Sequence, residues 1–135
     1  MTLQGLSVCF HTKKIQECKD FYLKYFDAIV IFECDWYVSV LFNKERMITL
    51  QFMLPQFEEP LYQEGGVTLN LYYEDVDAMY KKLVSDSGLK IVSPLEDHDW
   101  GDRGFTINDT IGNTLYIYSP REMKGEYKDA VKVEL

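Results

Sequence analysis

The chain has 135 residues, of which 47% are hydrophobic and 15% aromatic, enough apolar material for the core of one domain. Its 22 acidic and 14 basic residues give a formal charge of −8, so a phosphate backbone or an anionic membrane surface would be repelled. We therefore predict no nucleic-acid partner and no membrane partner. The charge favours a cationic small molecule, or it serves only solubility.

The cysteines and the N-terminus indicate a cytoplasmic protein. Cys9, Cys18 and Cys34 form no CxxC pair and match no disulfide or zinc framework. An odd count without such a framework is typical of a reducing compartment. Met1 to Gly5 has no basic segment of the kind that begins a signal peptide, and no apolar run reaches the length of a membrane span.

The first 55 residues show a β-α-β-β-β pattern. Alternating apolar residues predict a strand over Leu6–Phe10, and apolar residues at helical spacing predict a helix from Ile15 to Phe26. Three more strands are predicted at Ala28–Phe32, Trp36–Phe42 and Met47–Leu54, with a hairpin turn at Asn43–Arg46.

Residues 67–120 repeat this pattern. A strand at Val67–Leu71 precedes a helical stripe from Val76 to Leu83, which begins after the N-cap Asp75 and ends at Ser87-Gly88. The remaining strands are predicted at Leu89–Val92, Gly104–Ile107 and Thr114–Tyr118.

A register comparison supports the duplication. Ile31 aligns with Val92 at a shift of 61, and Thr49 with Thr114 at a shift of 65. We assign the difference to a longer loop at Glu96–Gly101. The prediction is one domain over residues 1–120, with a first module (1–55), a linker (56–66) and a second module (67–120). A charged tail (121–135) follows, either docked as a short helix or frayed.

Short motifs of the second half resemble those of a known superfamily. The segment Trp100–Phe105 is similar to its Trp-Gly-x-Arg-x-Phe strand entry, and Asp109–Asn113 to its Asp-Pro-x-Gly-Asn turn, with Thr110 in place of proline. Together with Phe21-Tyr22 in the first helix, they make residues 3–120 resemble the vicinal oxygen chelate superfamily of glyoxalase I, extradiol dioxygenases and bleomycin-resistance proteins. The resemblance implies an α+β fold in which two βαβββ modules form paired, curved, mixed sheets around a cavity.

Strand alternation and this resemblance together predict which side chains line the cavity. One face of the strands is expected to pack under the helices: Leu6, Val8, Phe10, Leu50, Phe52, Val67, Leu69, Leu71, Leu115 and Ile117. The opposite face and the cavity mouth supply the predicted ligand-binding residues: Ser7, Cys9, His11, Tyr37, Ser39, Gln51, Thr68, Asn70, Tyr72, Trp100, Arg103, Tyr116 and Tyr118.

The resemblance also implies where a metal would be bound. Family metalloenzymes place His, Glu or Gln at positions that here hold Ser7, Gln51, Thr68 and Tyr116. Only Gln51 is a conventional ligand type, and divalent metals prefer imidazole, carboxylate or thiolate donors. We predict neither a metal nor another cofactor.

Two histidines allow more than one interpretation. Cys9 and His11 lie two apart on one strand, as a nucleophile pair or half a metal site would. Equally, Cys9 can be an apolar filler and His11 a hydrogen-bonded residue at the rim, so His11 is only a weak candidate for a catalytic residue. His98, within Glu96–Asp99, is either part of a cation site or part of a solvated turn.

Trp36 and Trp100 are each predicted beside a loop at the cavity mouth. They fit a ligand cage, and they fit equally a core and dimer interface.

Three functions are compatible with these observations. The first is a metal-free homodimer that binds or sequesters a small aromatic or cationic molecule, similar to the bleomycin-resistance proteins. The second is a glyoxalase-like lyase, isomerase or dioxygenase that depends on a metal or on a non-metal acid–base residue. The third is a module that binds another protein through an exposed strand or the tail. We favour the first, a binding protein rather than an enzyme.

Overall fold

The computed structural model describes all 135 residues, which form an α+β structure with the predicted β-α-β-β-β order twice over. A π-helical turn, Lys81–Asp86, continues α2. The elements are β1 Val8–His11, α1 Ile15–Phe26, β2 Ile29–Cys34, β3 Tyr37–Asn43, β4 Ile48–Met53, β5 Thr68–Tyr72, α2 Val76–Tyr80, β6 Ser93–His98, β7 Asp102–Asn108, β8 Thr114–Pro120 and α3 Glu126–Asp129.

Each βαβββ module forms a four-stranded mixed sheet. The strand order is β1-β4-β3-β2 in the first sheet and β5-β8-β7-β6 in the second. The first strand of each module runs parallel to the last, and the other neighbours are antiparallel. The helix after the first strand begins the crossover that a parallel pair requires. The predicted fold class is confirmed.

The predicted stripe of α1 lies in the core of the first unit. Cys18, Tyr22 and Phe26 are buried at four-residue intervals, because positions i and i+4 share one face of a helix. The Tyr22 ring stacks on Phe52 of β4 with 5.7 Å between centroids. Burying one side chain of this size stabilises a fold by about 1.5–3 kcal/mol.

The second helix begins and ends as predicted. Oδ1 of Asp75 accepts a hydrogen bond of 3.0 Å from the backbone N–H of Ala78. The π-helical turn stops before Gly88, whose φ of +71° suits glycine after a helix. The buried apolar side chains of this unit's helix and sheet are Val76, Leu83, Phe105, Ile107, Leu115 and Ile117.

The predicted strand at Leu89–Val92 is wrong. The second strand of this module is β6, which begins at Ser93 and takes up half of the loop predicted at Glu96–Gly101. An edge strand tolerates Pro94, since its outer side makes no ladder bonds. The apolar run was misleading, because the position of this strand depends on its pairing with β7.

The four-residue difference in length between the modules is therefore distributed over more than the single loop predicted. The shifts of 61 for β1 and β5 and of 65 for β4 and β8 are confirmed by the two parallel ladders. In the first sheet Met53 is opposite Tyr37, which is opposite Cys34. In the second Tyr118 is opposite Gly104, which is opposite Glu96. Cys34 therefore corresponds to Glu96, residue 96 against residue 34, a shift of 62. One extra residue thus precedes β6, five lie in the β6–β7 hairpin, and the connection from β7 to β8 is two residues shorter. Trp36 and Trp100 both lie in the turn between the second and third strands of a module, but the second hairpin extends further.

Two predicted core residues are exposed, so their prediction is wrong. Leu6 is 84% exposed because it precedes β1, and Val8 is 40% exposed because it begins an edge strand. The alternating pattern extends beyond the residues that pair with β4. The remaining predicted core residues are buried or half-buried: Phe10, Leu50, Phe52, Val67, Leu69, Leu71, Leu115 and Ile117.

The chain divides into two compact units, whose boundary at Glu64 and Gly65 lies within the predicted linker. The turn Asp109–Gly112 belongs to the first unit, where Oδ2 of Asp109 accepts a hydrogen bond of 2.5 Å from the Tyr22 hydroxyl. Burial, and then the Asp109 carboxylate, raise the pKa of Tyr22 well above its ordinary 10.0. None of the helices has the length and apolarity needed to span a membrane.

Candidate ligand-binding site

The face of the first sheet that points away from α1 carries five predicted ligand-binding residues, of which Ser39 and Gln51 are buried. Cys9, Gln51 and Ser39 are opposite one another on neighbouring strands, and His11 and Tyr37 lie one row further along. The structure therefore brings these five side chains onto one face, because strand partners in register point the same way.

The polar groups on this face are held by neighbouring atoms. Nε2 of Gln51 donates to the hydroxyls of Ser39 and Thr49 at 3.0 Å each. Nδ1 of His11 lies 3.2 Å from the carbonyl oxygen of Pro60. Burial raises the pKa of the Cys9 thiol, which disfavours the reactive thiolate. This arrangement gives no support to a nucleophile built from Cys9 and His11.

Five rings form a continuous row on the second sheet and its β6–β7 turn. Tyr72, Tyr118 and Tyr116 follow one another with 5.8 and 5.6 Å between centroids. His98 lies 6.3 Å beyond Tyr116, and Trp100 stacks on His98 at 4.1 Å with only 5° between the ring planes. We call these five residues the aromatic row. Its two ends, Tyr72 and Trp100, are exposed to solvent.

A buried carboxylate anchors one end of the aromatic row. Asp102 is only 8% exposed. Its Oδ1 accepts a hydrogen bond of 2.7 Å from the Tyr116 hydroxyl, and its Oδ2 accepts one of 2.8 Å from the Trp100 indole N–H. Nδ1 of His98 lies 2.9 Å from Oδ1. Hydrogen bonds to a charged group are worth about 1.5–3 kcal/mol each, so this carboxylate fixes three rings.

The Tyr116 hydroxyl is a donor that does not ionise at neutral pH. Burial, and then its hydrogen bond to Asp102, raise the pKa of Tyr116 above its ordinary 10.0. The phenol therefore keeps its proton and continues to donate to the carboxylate.

Gly104 leaves the space that Tyr116 occupies. A Cβ atom at this position would lie 2.6 Å from Cζ and from the hydroxyl oxygen of Tyr116, and 2.8 Å from the carbonyl oxygen of Ile117. These distances are well inside van der Waals contact. Any side chain here would displace either the ring or the strand.

Besides the five on the first sheet, four predicted site residues are not part of the aromatic row. Arg103 is on the helix-bearing face, where its guanidinium pairs with Asp77 of α2 at 3.0 Å, so it does not point toward the row. Ser7 precedes β1 and Thr68 begins β5, and both are exposed. Asn70 is opposite Tyr116 in the β5–β8 ladder and therefore shares the face of the row.

The C-terminal segment, which follows β8, packs on the β6–β7 turn. The backbone N–H of Arg121 donates to the carbonyl oxygen of Gly101 at 2.7 Å, and that of Lys124 to the carbonyl oxygen of Asp99 at 2.9 Å. Gly101 has a φ of +111°, and a Cβ there would lie 2.7 Å from Cγ of Met123. Glycine therefore permits both the turn and the close approach of the segment.

Two surface cavities lie away from these groups. One, of about 550 Å³, is lined by Ile15, Gln16, Lys19, Glu33, Cys34, Asp35 and Val38. The other, of about 490 Å³, is lined by Leu89, Lys90, Ile91, Val92 and Asn108. Neither contains a predicted ligand-binding residue. In the first, Nζ of Lys19 already pairs with Glu33 at 2.6 Å. The aromatic row is therefore the better candidate site.

A sequence model of the glyoxalase-like domain matches residues 6–122, most of the chain. The chain belongs to the glyoxalase-like domain family. No curated protein sequence matches it.

Solved structures share the fold of this glyoxalase-like protein. One, described only as a conserved domain protein, has a TM-score of 0.76 at 17% identity and covers 88% of this chain and 100% of its own. Lactoylglutathione lyase from Agrobacterium tumefaciens has a TM-score of 0.68 at 13% identity, covering 88% and 96%. A member of the glyoxalase/bleomycin resistance protein/dioxygenase superfamily from Sphaerobacter thermophilus has a TM-score of 0.68 at 21% identity. It covers 87% of this chain and 98% of its own. With the family match, these confirm the predicted superfamily.

The residues at the metal positions of family enzymes do not fit a metal. Ser7 and Thr68 present exposed hydroxyls, the amide nitrogen of Gln51 bonds two hydroxyls, and Tyr116 donates to Asp102. No three His, Cys, Asp or Glu side chains are grouped so as to hold a metal ion. Neutral hydroxyls and an amide are poor ligands for a divalent cation.

Sequence reasoning missed the contribution of Asp102 and treated His98 as part of an acidic loop. In the structure β6 extends to His98, which faces Asp102 directly across the turn. The available signal was the pairing of Trp100 with an aspartate two residues later at a strand entry. It becomes informative only once the end of β6 is known.

Proposed function

We propose that this glyoxalase-like protein binds and sequesters a small, planar, cationic organic molecule on the aromatic row, without a metal. The observation that carries the proposal is the environment of Trp100. Its indole N–H is fixed by the buried Asp102, while the side chain remains 48% exposed. A cation over such a ring gains about 0.5–2 kcal/mol, and the neighbouring tyrosines extend the stacking surface.

The charges beside the aromatic row favour a cation over a neutral ligand. Glu96, Asp97 and Asp99 are exposed carboxylates in the segment that contains Asp102. The positive charge of Arg103 is paired with Asp77. Residues 96–102 therefore carry four carboxylates and no lysine or arginine, in keeping with the formal charge of −8 for the whole chain.

We also propose that the protein works as a cytoplasmic homodimer. The edge strand β2 exposes Ile29, Ile31 and Phe32, whereas the equivalent edge β6 carries Pro94 and acidic residues. Proline and charge are common ways of protecting an edge strand. β2 has no proline, and its one charged residue, Glu33, is paired with Lys19. A monomeric mass by light scattering at micromolar concentration would contradict this assembly.

A metal-independent acid–base enzyme is a second candidate, favoured by one observation. The carboxylate of Asp102 lies 2.9 Å from Nδ1 of His98, the arrangement that orients a histidine base. An enzyme would convert its ligand, whereas a binding protein would return it unchanged. Nuclear magnetic resonance of the ligand after prolonged incubation with the protein distinguishes the two.

The test is calorimetric titration with N-methylquinolinium, a flat cation. We expect saturable binding that weakens about two- to thirtyfold in Trp100→Leu, because one stacked cation–π contact is lost. Trp36→Leu, in the β2–β3 turn of the first unit, should bind like the wild type. Quinoline, which has the same rings but is uncharged at neutral pH, should bind more weakly. If N-methylquinolinium does not bind saturably, the proposal is wrong.

A further inference from the structure

Tyr127, in the C-terminal segment, faces the exposed end of the aromatic row. Its ring centroid lies 6.4 Å from that of Trp100, and the two ring planes are nearly perpendicular at 77°. Tyr127 is 37% exposed. An exposed side chain changes rotamer within nanoseconds, so this ring can turn without disturbing the core.

The two rings are in edge contact with no gap between them, but their centroids are nearly as far apart as a sandwiched flat molecule would require. Carbon atoms of stacked rings approach to about 3.5 Å, so a ring held between two others separates them by about 7 Å. The observed 6.4 Å between Tyr127 and Trp100 is close to that value. A small displacement and a rotation of Tyr127 would therefore admit one planar ligand. A globular ligand would need a much wider opening.

The second ring is positioned by the turn that carries the first. The C-terminal segment makes two backbone hydrogen bonds to the β6–β7 turn, one on either side of Trp100. Within the segment, Nζ of Lys128 lies 3.5 Å from the carboxylate of Glu122, next to Tyr127. The side chains of the segment are nevertheless exposed, so it is held by few contacts and can adjust to a ligand.

One of the two rings, Tyr127, lies outside the shared domain. The family match ends at residue 122, before Tyr127. The contact between Tyr127 and Trp100 is thus a feature of this chain that the domain match does not account for.

We propose that Trp100 and Tyr127 form an aromatic clamp that selects a planar cation over a globular cation of the same charge. The inference rests on the proposed function and adds a second wall to that site. On binding, the edge contact between the two rings is replaced by two stacked contacts with the ligand. The acidic residues near Trp100 attract either kind of cation, so the selection is made by shape.

The experiment compares two monovalent cations, N-methylquinolinium, which is flat, and N-methylquinuclidinium, which is globular. Each is titrated calorimetrically into the full chain and into Tyr127→Leu, Tyr127→Phe and the control Val131→Ala. We expect Tyr127→Leu to weaken binding of the flat cation about two- to thirtyfold and to leave the globular cation unchanged. Tyr127→Phe and Val131→Ala should stay within about twofold of the wild type. Equal weakening of both cations, or of neither, would overturn the clamp.

A second measurement does not depend on any ligand. In a Trp36→Phe background Trp100 is the sole tryptophan, and acrylamide quenching reports how open its ring is. Adding Tyr127→Leu should increase that quenching, and an unchanged value would also overturn the clamp. If the wild type binds neither cation, the proposed function is wrong. If the wild type and Tyr127→Leu bind the flat cation equally well, only the clamp is wrong.

Discussion

Asp102 carries a charge that folding has largely removed from water. Such burial is unfavourable unless donors surround the carboxylate. Here the hydroxyl of Tyr116 and the indole of Trp100 donate to its two oxygens, and His98 lies within hydrogen-bonding distance. The residue therefore stabilises the fold and orients the rings proposed to bind ligand.

Replacing Asp102 with Asn should lower the free energy of unfolding by about 1–3 kcal/mol. The amide keeps the shape but turns one acceptor into a donor that faces other donors. Urea denaturation measures the change. The matched control is Asp97→Asn, whose exposed carboxylate makes only a 3.6 Å pair with Arg103 and should change stability by less than about 0.5 kcal/mol. If Asp102→Asn and Asp97→Asn lower the free energy of unfolding equally, the burial of Asp102 contributes nothing to stability.

At the residue scale, alternation correctly groups side chains within a strand but does not locate strand ends. It predicts that Cys9 and Gln51 share a face with Ser39, which the ladder confirms. It also places Ser7 in β1, although pairing with β4 begins only at Val8. Which residue begins a ladder depends on the partner strand, and a local pattern holds no information about that partner.

At the scale of elements, α1 and the turn Asp109–Gly112 depend on one hydrogen bond inside the first unit. Tyr22 is buried in α1 and donates to Asp109, whose other oxygen accepts from the backbone N–H of Ile111. The side chain thus organises the turn and satisfies the buried phenol at once. Neither effect follows from the local sequence, because the two residues lie 87 positions apart.

A double-mutant cycle on Tyr22→Phe and Asp109→Asn should give a coupling energy of about 1.5–3 kcal/mol, the value of a hydrogen bond to a charged group. Chemical denaturation of the four proteins supplies it. The control is Tyr25, which lies three residues after Tyr22 on α1. The effects of Tyr25→Phe and Asp109→Asn on the free energy of unfolding should add within about 0.5 kcal/mol. Additivity in the Tyr22 cycle would show that the two groups do not interact in solution.

Most elements could be predicted because their signals are local. The stripe of α1, the cap at Asp75 and the alternation of β5 and β8 are of this kind. β6 could not, since it combines proline with acidic residues and is a strand only through its pairing with β7. The aromatic row depends on that strand, so its His98 end could not be predicted either.

At the scale of the whole molecule, one buried and one half-buried tyrosine make stability depend on alkaline pH. Burial is the main cause that raises the pKa of both Tyr22 and Tyr116 above 10.0. The folded state therefore keeps protons that the unfolded state loses. This contribution is fully present below about pH 10 and is lost as the pH rises above it.

We expect the tyrosine contribution to the free energy of unfolding, measured in urea, to stay constant up to about pH 9 and to decline above about pH 10. Tyr116→Phe should make that decline shallower, because one proton fewer is released on unfolding. If Tyr116→Phe leaves the slope of the free energy of unfolding against pH unchanged, the raised pKa of Tyr116 does not contribute to stability.

The fold and the superfamily were predictable for the whole molecule, because the repeat and the motifs span most of it. The sequence spreads the candidate site evenly over both halves. The structure distinguishes them, since the carboxylate anchor with its three rings lies in the second unit alone.

The longer β6–β7 hairpin has a consequence for redesign. In the first unit the hairpin ends at the pair Cys34 and Tyr37, whose counterpart in the second unit is Glu96 and Gly104, so the pair His98 and Asp102 lies two residues beyond it on each strand. The first unit therefore has no backbone on which the anchor could be copied by substitution alone. A second site would require a β2–β3 hairpin that is five residues longer, as well as new side chains on it.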